Sequence, residues 1–166
     1  MISRRAAVIV VAAACFVGSA SIAKQVGERA PEFSRPDSNG KPLRLSEFRG
    51  KLILLNFWAS WCGPCLEEMP RFSQWQRSYG NRGLQVVGVA MDDDRAAVSA
   101  LLKRQPVEYP IALGDAALGE AYGGVLGLPL TYLIGPDGRI LARYQGEYAL
   151  DELEAAINRA LTKRRW

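Results

Sequence analysis

The sequence contains no histidine among its 166 residues. Histidine is the base in Ser-His-Asp and Cys-His enzymes, and it is the commonest protein ligand of zinc and copper. Its absence excludes both catalytic arrangements, a Cys-x-x-Cys-His haem attachment site and nearly every ordinary zinc or copper site. We therefore predict no metal site, and any chemistry must come from other side chains.

The chain also lacks a strong net charge. It carries 21 basic and 17 acidic residues, a formal charge of +4. Two of the basic residues, Arg4 and Arg5, precede an apolar run at the N-terminus, so the rest of the chain has 19 basic residues against 17 acidic ones. This excess of two does not indicate nucleic-acid binding. A composition of 49% hydrophobic and 23% charged residues is typical of a globular protein with one core, and we expect a monomer.

No hydrophobic run near the N-terminus has the roughly 20 residues that a membrane span requires. The run from Ala6 to Val17 has 12 residues, follows two arginines and is followed by the small residues Ser21-Ile22-Ala23. This order is typical of a secretory signal peptide. We predict a signal peptide at 1–23, an N-terminal anchor or lipidation at Cys15 being the alternatives, and an extracytoplasmic domain at 24–166.

Only three cysteines occur, and two of them, Cys62 and Cys65, lie in the segment WASWCGPCLEEMP at 58–70. A structural disulfide across so small a loop would add little stability. A zinc site would lack its other two ligands. Two buried apolar cysteines would not suit the Gly-Pro turn between them. A redox pair where a strand meets a helix fits all of these features.

The position of each cysteine predicts its role. A helix predicted from Gly63 to Tyr79 begins just after Cys62, and a helix N-terminus stabilises a thiolate. We expect Cys62 to be exposed and to be the nucleophile. Cys65 lies nearly one turn further along, so we expect it to be covered and to resolve the mixed disulfide. The Cys62–Cys65 disulfide would be the redox centre, with no other cofactor.

Hydrophobic patterns predict the order of the other elements. Continuous apolar runs at 51–59 and 84–90 are typical of buried strands. Asn39-Gly40 predicts a two-residue hairpin turn within 32–45. The other predicted elements are a helix from Asp92-Asp93-Asp94 to about Arg104, strands at 109–113, 131–134 and 139–145, and helices at 116–122 and 148–163. This order predicts a three-layer α/β sandwich with a parallel strand pair and an antiparallel edge.

These segments resemble the thioredoxin fold, and specifically the exported TlpA-like and ResA-like thiol–disulfide oxidoreductases of the redoxin (AhpC-TSA) superfamily. The matching segments are APEF at 30–33, LSEFRGK at 45–51, NFWASWCGPC at 56–65 and GLPLTYLI at 127–134. The resemblance covers residues 30–161. It implies a thioredoxin fold with an N-terminal β-hairpin and a central α/β insertion.

The resemblance also implies a client-binding surface around the cysteines. Pro129 matches the cis-proline of the family, which exposes the backbone of Leu128 to an extended client segment. Trp61, Gly63 and Pro64 belong to the same expected surface.

Glu68 matches an acidic residue near the buried cysteine of ResA-like proteins. The resemblance implies a role in handling the proton of Cys65, and the alternative is an ordinary carboxylate at a helix start. Cytoplasmic thioredoxins have a buried Asp six positions before the first cysteine, where this chain has Asn56. Because an amide does not carry that proton, Glu68 is the nearest candidate to replace it.

The family resemblance implies an exported, periplasmic enzyme that reduces disulfides in client proteins, with a place in cytochrome c maturation. Expected partners are a client such as an apocytochrome c and a membrane electron donor of the DsbD or CcdA type. One alternative is a peroxiredoxin-like thiol peroxidase, but Ala59-Ser60-Trp61 lacks the Pro and Thr of that site. Another is a Sco-like copper metallochaperone, which needs a histidine and a wider cysteine spacing.

Overall fold

The computed structural model describes residues 26–125 and 127–163. The predicted signal peptide, including Cys15, lies outside these residues. Within them, none of the helices combines the length and the apolar character that crossing a membrane requires.

Seven strands and four α-helices make up the described chain. The strands are β1 (Ser34–Pro36), β2 (Pro42–Arg44), β3 (Leu52–Trp58), β4 (Leu84–Ala90), β5 (Ile111–Leu113), β6 (Leu130–Ile134) and β7 (Ile140–Gln145). The helices are α1 (Gly63–Tyr79), α2 (Arg95–Arg104), α3 (Ala116–Ala121) and α4 (Leu150–Thr162), with short 3₁₀ turns at Leu45–Phe48 and Gly80–Arg82. The order of elements confirms the sequence prediction, including the N-terminal hairpin and the β5–α3 insertion.

A five-stranded sheet in the order β5-β4-β3-β6-β7 forms the middle layer. The strands β3, β4 and β5 run parallel, whereas β6 and β7 are antiparallel to their neighbours. Every residue of β3 and β4 is buried, which explains why their sequences are continuously apolar rather than alternating. The predicted parallel pair and antiparallel edge are therefore confirmed.

Alternate residues of β3 supply two separate apolar cores. Leu52 and Leu54 face a core that includes residues of α1, α2 and α4, whereas Ile53, Leu55 and Phe57 face a core beneath α3 and the hairpin. This separation follows from the two-residue period of a strand. The sheet is thus covered on both faces, and the fold is a three-layer α/β sandwich.

The predicted two-residue turn at Asn39-Gly40 is wrong. Residues 37–41 join β1 to β2, whose last facing pair is Pro36 and Pro42. The carboxylate Oδ1 of Asp37 accepts hydrogen bonds from the backbone amides of Asn39 and Lys41, both at 2.8 Å. Gly40 adopts φ +81°, a left-handed conformation in which glycine has no steric penalty. The Asp37 side chain therefore builds a longer turn than the Asn-Gly pair predicts.

The segment from Gly27 to Asp37, which includes β1, reaches both edges of the main sheet. At one edge Arg29 forms an antiparallel bridge with Arg139, and the amide of Gly27 donates to the carbonyl of Ile140 at 2.8 Å. At the other edge Asp37 bridges to Ala112 of β5. A single N-terminal segment therefore pairs with both outer strands.

Candidate active site

The two predicted redox cysteines form a disulfide at the start of α1. Their Cα atoms are 5.3 Å apart, within the range of unstrained disulfides. Cys62 is the N-cap of the helix, and the amide of Cys65 donates to its Sγ at 3.4 Å. The sulfur of Cys62 therefore lies where unpaired amides and the helix dipole favour a negative charge.

The expectation that Cys62 is exposed is wrong for this disulfide form. Cys62 is 5% exposed and Cys65 is 0% exposed. Both sulfurs belong to the buried cluster that contains Trp58, and Leu128 packs against this cluster. Cys62 is therefore both bonded to Cys65 and packed in the core. Cys62 is still the more accessible sulfur, which agrees with the order of reactivity predicted for the pair.

Residues predicted to bind a client lie around the disulfide. Trp61 is 73% exposed, Gly63 is exposed, and Pro64 is half-buried. The Leu128–Pro129 peptide bond is cis, the isomer that the family resemblance implies. Pro129 is buried, and its carbonyl accepts a hydrogen bond from the amide of Gly146 at 2.8 Å. An exposed indole beside the redox pair offers a large apolar contact for a protein client.

Glu68 is a buried carboxylate in the second turn of α1. Its side chain is 6% exposed, and Oε2 has no hydrogen-bond partner among the described residues. Burial raises the pKa of Glu68 from 4.5 to about 7, although a hydrogen bond from Tyr148 opposes the rise. A carboxyl with a pKa near neutral can both accept and release a proton under physiological conditions.

A chain of hydrogen bonds connects Glu68 to the strand position that holds Asn56. The amide Nδ2 of Asn56 donates to Thr131 Oγ1 at 2.9 Å, and the Tyr148 hydroxyl lies 3.0 Å from the same Thr131 oxygen. When Tyr148 donates its single proton to Glu68, Thr131 donates to Tyr148 and accepts from Asn56. The buried amide of Asn56 is thus connected to the Glu68 carboxyl through the hydroxyls of Thr131 and Tyr148.

Sequence reasoning missed Tyr148, Thr131 and Tyr109, because they lie far from the CGPC segment along the chain. The hydroxyl of Tyr109 and the indole nitrogen of Trp58 are buried without a hydrogen-bond partner among the described residues. Burial raises the pKa of Tyr109, and the charge of Glu68 raises it further. Tyr109 therefore stays neutral and lies close enough to Glu68 to feel its ionisation.

A cleft of about 360 Å³ opens beside Glu68. It is lined by Pro64, Glu67, Glu68, Glu147, Tyr148 and Leu150. Because Pro64 lies between the two cysteines in the sequence, the cleft extends from Glu68 to a residue beside the redox pair. Polar side chains line much of it, so the cleft offers a path for protons between Glu68 and solvent.

Asp92 anchors the turn that carries the cysteines. The amide of Ser60 donates to both carboxylate oxygens of Asp92, at 3.1 and 3.0 Å, and the Ser60 hydroxyl also donates to Asp92. Of the predicted helix start Asp92-Asp93-Asp94, Asp94 is the N-cap of α2 and accepts from the amide of Ala96. The loop after β4 is therefore hydrogen-bonded, through Asp92, to the loop after β3 that leads to Cys62.

Among residues 26–125 and 127–163, no group of three or more His, Cys, Asp or Glu side chains is arranged to hold a metal ion. The carboxylates near the disulfide are instead occupied by protein donors or lie separately along the cleft.

Comparison with known proteins agrees with this geometry. The Redoxin family model matches residues 25–157. The chain is 36% identical over 129 residues to the thiol-disulfide oxidoreductase ResA of Bacillus subtilis, covering 77% of this chain and 70% of that protein. It is 31% identical over 135 residues to ResA of Bacillus thuringiensis, covering 81% and 78%.

A solved structure is similar over the same region. The crystal structure of a thiol:disulfide interchange protein of the thioredoxin family from Chlorobium tepidum aligns with a TM-score of 0.74 and 29% identity, covering 84% of this chain and 99% of that one. The family match, the ResA relatives and the Cys62–Cys65 pair at the start of α1 agree with one another. The chain belongs to the redoxin family and is a thiol–disulfide oxidoreductase of the ResA-like type.

Proposed function

We propose that the protein is exported and reduces disulfides in client proteins through Cys62 and Cys65, as a step in cytochrome c maturation. The observation that carries the mechanism is the buried Glu68, whose pKa of about 7 suits a group that receives and returns the proton of Cys65. The export and the maturation role are supported by the N-terminal sequence pattern and by the ResA-like resemblance.

The reaction begins with the reduced protein. The Cys62 thiolate attacks one sulfur of the client disulfide, so a Cys62–client bond forms and the other client sulfur leaves as a thiolate. Cys65 then loses its proton to the Glu68 carboxylate and attacks Sγ of Cys62. This step forms the Cys62–Cys65 disulfide and releases the second client thiolate. Two electrons have moved to the client, and Glu68 returns the proton through the cleft.

Client recognition uses the surface around the redox pair. The exposed Trp61 supplies apolar contact, and the backbone of Leu128, set by the cis bond to Pro129, pairs with an extended client segment. The client we propose is an apocytochrome c or a protein with a similar cysteine pair. A membrane electron donor of the DsbD or CcdA type returns two electrons to the Cys62–Cys65 disulfide, and one proton restores the Cys65 thiol while Cys62 stays a thiolate. The two sulfurs serve as the whole redox centre, without a bound cofactor.

Trapping the mixed disulfide tests this proposal. Removing Cys65 as Cys65→Ala leaves Cys62 able to attack a client but unable to release it, so the covalent complex should accumulate. Expressed in a cell with a periplasm, this variant should capture apocytochrome c, identified by mass spectrometry after gel separation without reductant. The matched control Cys62→Ala removes the other sulfur of the same pair and should trap nothing.

Three results count against the proposal. Capture by Cys62→Ala but not by Cys65→Ala would reverse the two roles. Capture of many unrelated exported proteins without any apocytochrome would replace the maturation role with a general one. Retention of the chain in the cytoplasm would remove the export step.

A further inference from the structure

The end of the domain opposite the disulfide carries an unusual concentration of basic side chains. The register pairs Leu52 with Leu84, Ile53 with Ile134, and Ile134 with Ile140, so the starts of β3, β4 and β7 meet at this end. The C-terminal end of α4 joins them, because Arg82 donates to Asn158 at 3.4 Å.

Six exposed cations lie on this end, which we call the basic face: Arg29, Lys51, Arg82, Arg139, Arg159 and Lys163. The carboxylates among them are Glu28 and Asp137. Asp137 approaches Arg139 at 3.7 Å, and its backbone carbonyl accepts from Arg29 at 3.2 Å. The basic face therefore keeps an excess of positive charge, whereas the chain apart from Arg4 and Arg5 is nearly neutral.

Apolar surface adjoins these cations. A groove of about 390 Å³ lies between β7 and α4 and has Arg159 and Lys163 at its rim. Its apolar lining comes from Leu133, Leu141, Ala142, Tyr144, Ala156 and Ala160. Three large hydrophobic side chains are exposed in the described chain: Trp61 beside the disulfide, Val26 at 62% and Leu141 at 38%. Val26 and Leu141 each adjoin a hydrogen-bonded residue, since the amide of Gly27 donates to the carbonyl of Ile140.

The residues that precede the described chain join it at this same face. Val26 is its first described residue, and the 12-residue apolar run from Ala6 to Val17 lies upstream. Basic residues around an apolar patch bind anionic lipid surfaces, each cation near the surface contributing about 1 kcal/mol. An acidic protein would suit the cations, but it would not explain the exposed Val26 and Leu141 and the apolar groove beside them.

We propose that the basic face lies against the surface of an anionic lipid bilayer, with Leu141 and Val26 at the headgroup level and Arg159 and Lys163 against lipid phosphates. The proposal rests on the proposed export, which brings the protein to a membrane surface. The seven residues of β3 separate this face from the disulfide by about 20 Å. The redox pair would then point away from the bilayer, toward clients in solution.

Binding of the full-length protein to vesicles tests the proposal. The probes are vesicles of phosphatidylcholine with phosphatidylglycerol and vesicles of phosphatidylcholine alone. We expect tighter binding to the anionic vesicles, with amide protection from hydrogen exchange in β7 and the second half of α4 and none at 60–65. Arg159→Gln with Lys163→Gln should weaken anionic binding by about 30-fold, at roughly 1 kcal/mol per cation.

The matched control is Lys103→Gln with Arg104→Gln. These residues are also exposed cations in the last turn of a helix, but they lie on α2. The control should bind anionic vesicles as the unmodified protein does. Both double variants should reduce a small model disulfide at the normal rate, so a failure here is distinguishable from a failure of the proposed function.

The proposal is overturned if anionic and neutral vesicles bind the full chain equally without protection of β7 and α4, because the leader alone would then explain binding. Equal losses of anionic binding in the α4 and α2 double variants would overturn it too, since binding would then depend only on the net charge of the protein. Protection at 60–65 would show the opposite orientation. If the double variant at α4 binds vesicles normally, the basic face has another partner, such as an acidic protein.

Discussion

The Tyr148 hydroxyl is hydrogen-bonded to the carboxylate of Glu68, across the gap between α1 and the loop that leads into α4. Burial makes the charged form of Glu68 costly, and this hydrogen bond opposes that cost. The two residues therefore set the pH at which a carboxyl beside the redox pair changes its charge.

Replacing Glu68 should change how stability depends on pH. The folded pKa of about 7 is above the unfolded value of 4.5, so the folded state holds this proton more tightly. Binding of this proton stabilises the folded state fully below pH 4.5, and that stabilisation is lost as the pH rises through 7. A shift of this size corresponds to about 3 kcal/mol. We expect Glu68→Gln to be about as stable as the unmodified protein below pH 4.5 and more stable well above pH 7, measured by urea unfolding of the disulfide form.

Glu67→Gln is the matched control, because it removes the neighbouring, exposed carboxylate. Its free energy of unfolding should follow that of the unmodified protein at every pH. A Glu68→Gln difference that does not grow with pH would show that Glu68 is charged throughout and contradict the raised pKa.

Tyr148→Phe should raise the pKa of Glu68 further. The substitution removes the donor that favours the carboxylate and leaves the ring in place. A hydrogen bond to a charged group contributes about 1.5 to 3 kcal/mol, so the midpoint should rise by about one pH unit. Carbon-13 NMR of the labelled carboxyl measures this midpoint. Tyr144→Phe removes the hydroxyl from a neighbouring ring, whose centroid is 5.1 Å from that of Tyr148. This control should leave the midpoint of Glu68 unchanged. A midpoint that stays or falls in Tyr148→Phe would contradict the assigned contact.

Asp92→Ala should loosen the turn before the cysteines. It removes the acceptor of the Ser60 amide and hydroxyl, and we expect a loss of about 2 kcal/mol in the free energy of unfolding. Amide exchange at Ser60 should become faster. Asp93→Ala removes the adjacent, exposed carboxylate and should do neither. Equal exchange rates at Ser60 in the two variants would show that Asp92 does not hold the turn.

Gly88→Ala should overpack the core beside Trp58. A Cβ added at Gly88 would lie 2.5 Å from Cδ1 of Ile111 and 3.0 Å from Nε1 of Trp58. Overpacking of this kind costs about 1 to 3 kcal/mol. Gly63→Ala meets no atom within 4 Å and should change the free energy of unfolding by less than about 0.5 kcal/mol. Urea unfolding measures both, and an undisturbed Gly88→Ala would mean that the neighbours relax freely.

The elements that carry the redox pair could be predicted from the sequence. The helix expected at 63–79 has the bounds Gly63–Tyr79, and the strand expected at 84–90 has the bounds Leu84–Ala90. Both predictions depended on local signals, namely a continuous apolar run for the strand and a proline and a glycine at the ends of the helix. Such signals lie within the element itself, so they do not depend on contacts with distant segments.

The supporting contacts of the site could not be predicted, since they join segments distant in sequence. Nothing near Glu68 indicates that Tyr148 donates to it, and nothing near Ser60 indicates Asp92. The prediction of the hairpin turn failed for a local reason, because the Asp37 carboxylate accepts from the amides of Asn39 and Lys41 and forms a longer turn. Cys62 is buried within a large apolar cluster, and a helix-start argument does not include the tertiary packing that forms it.

The pairing of Arg29 with Arg139 and of Asp37 with Ala112 has a consequence for self-assembly. An open sheet whose outer strands offer free amides and carbonyls can add strands from other molecules and aggregate. Here one short segment, residues 29–37, occupies part of both edges of the sheet. A recombinant fragment beginning after Asp37 would uncover the two edges together, so we expect it to precipitate edge to edge even though every residue of the redox site is present.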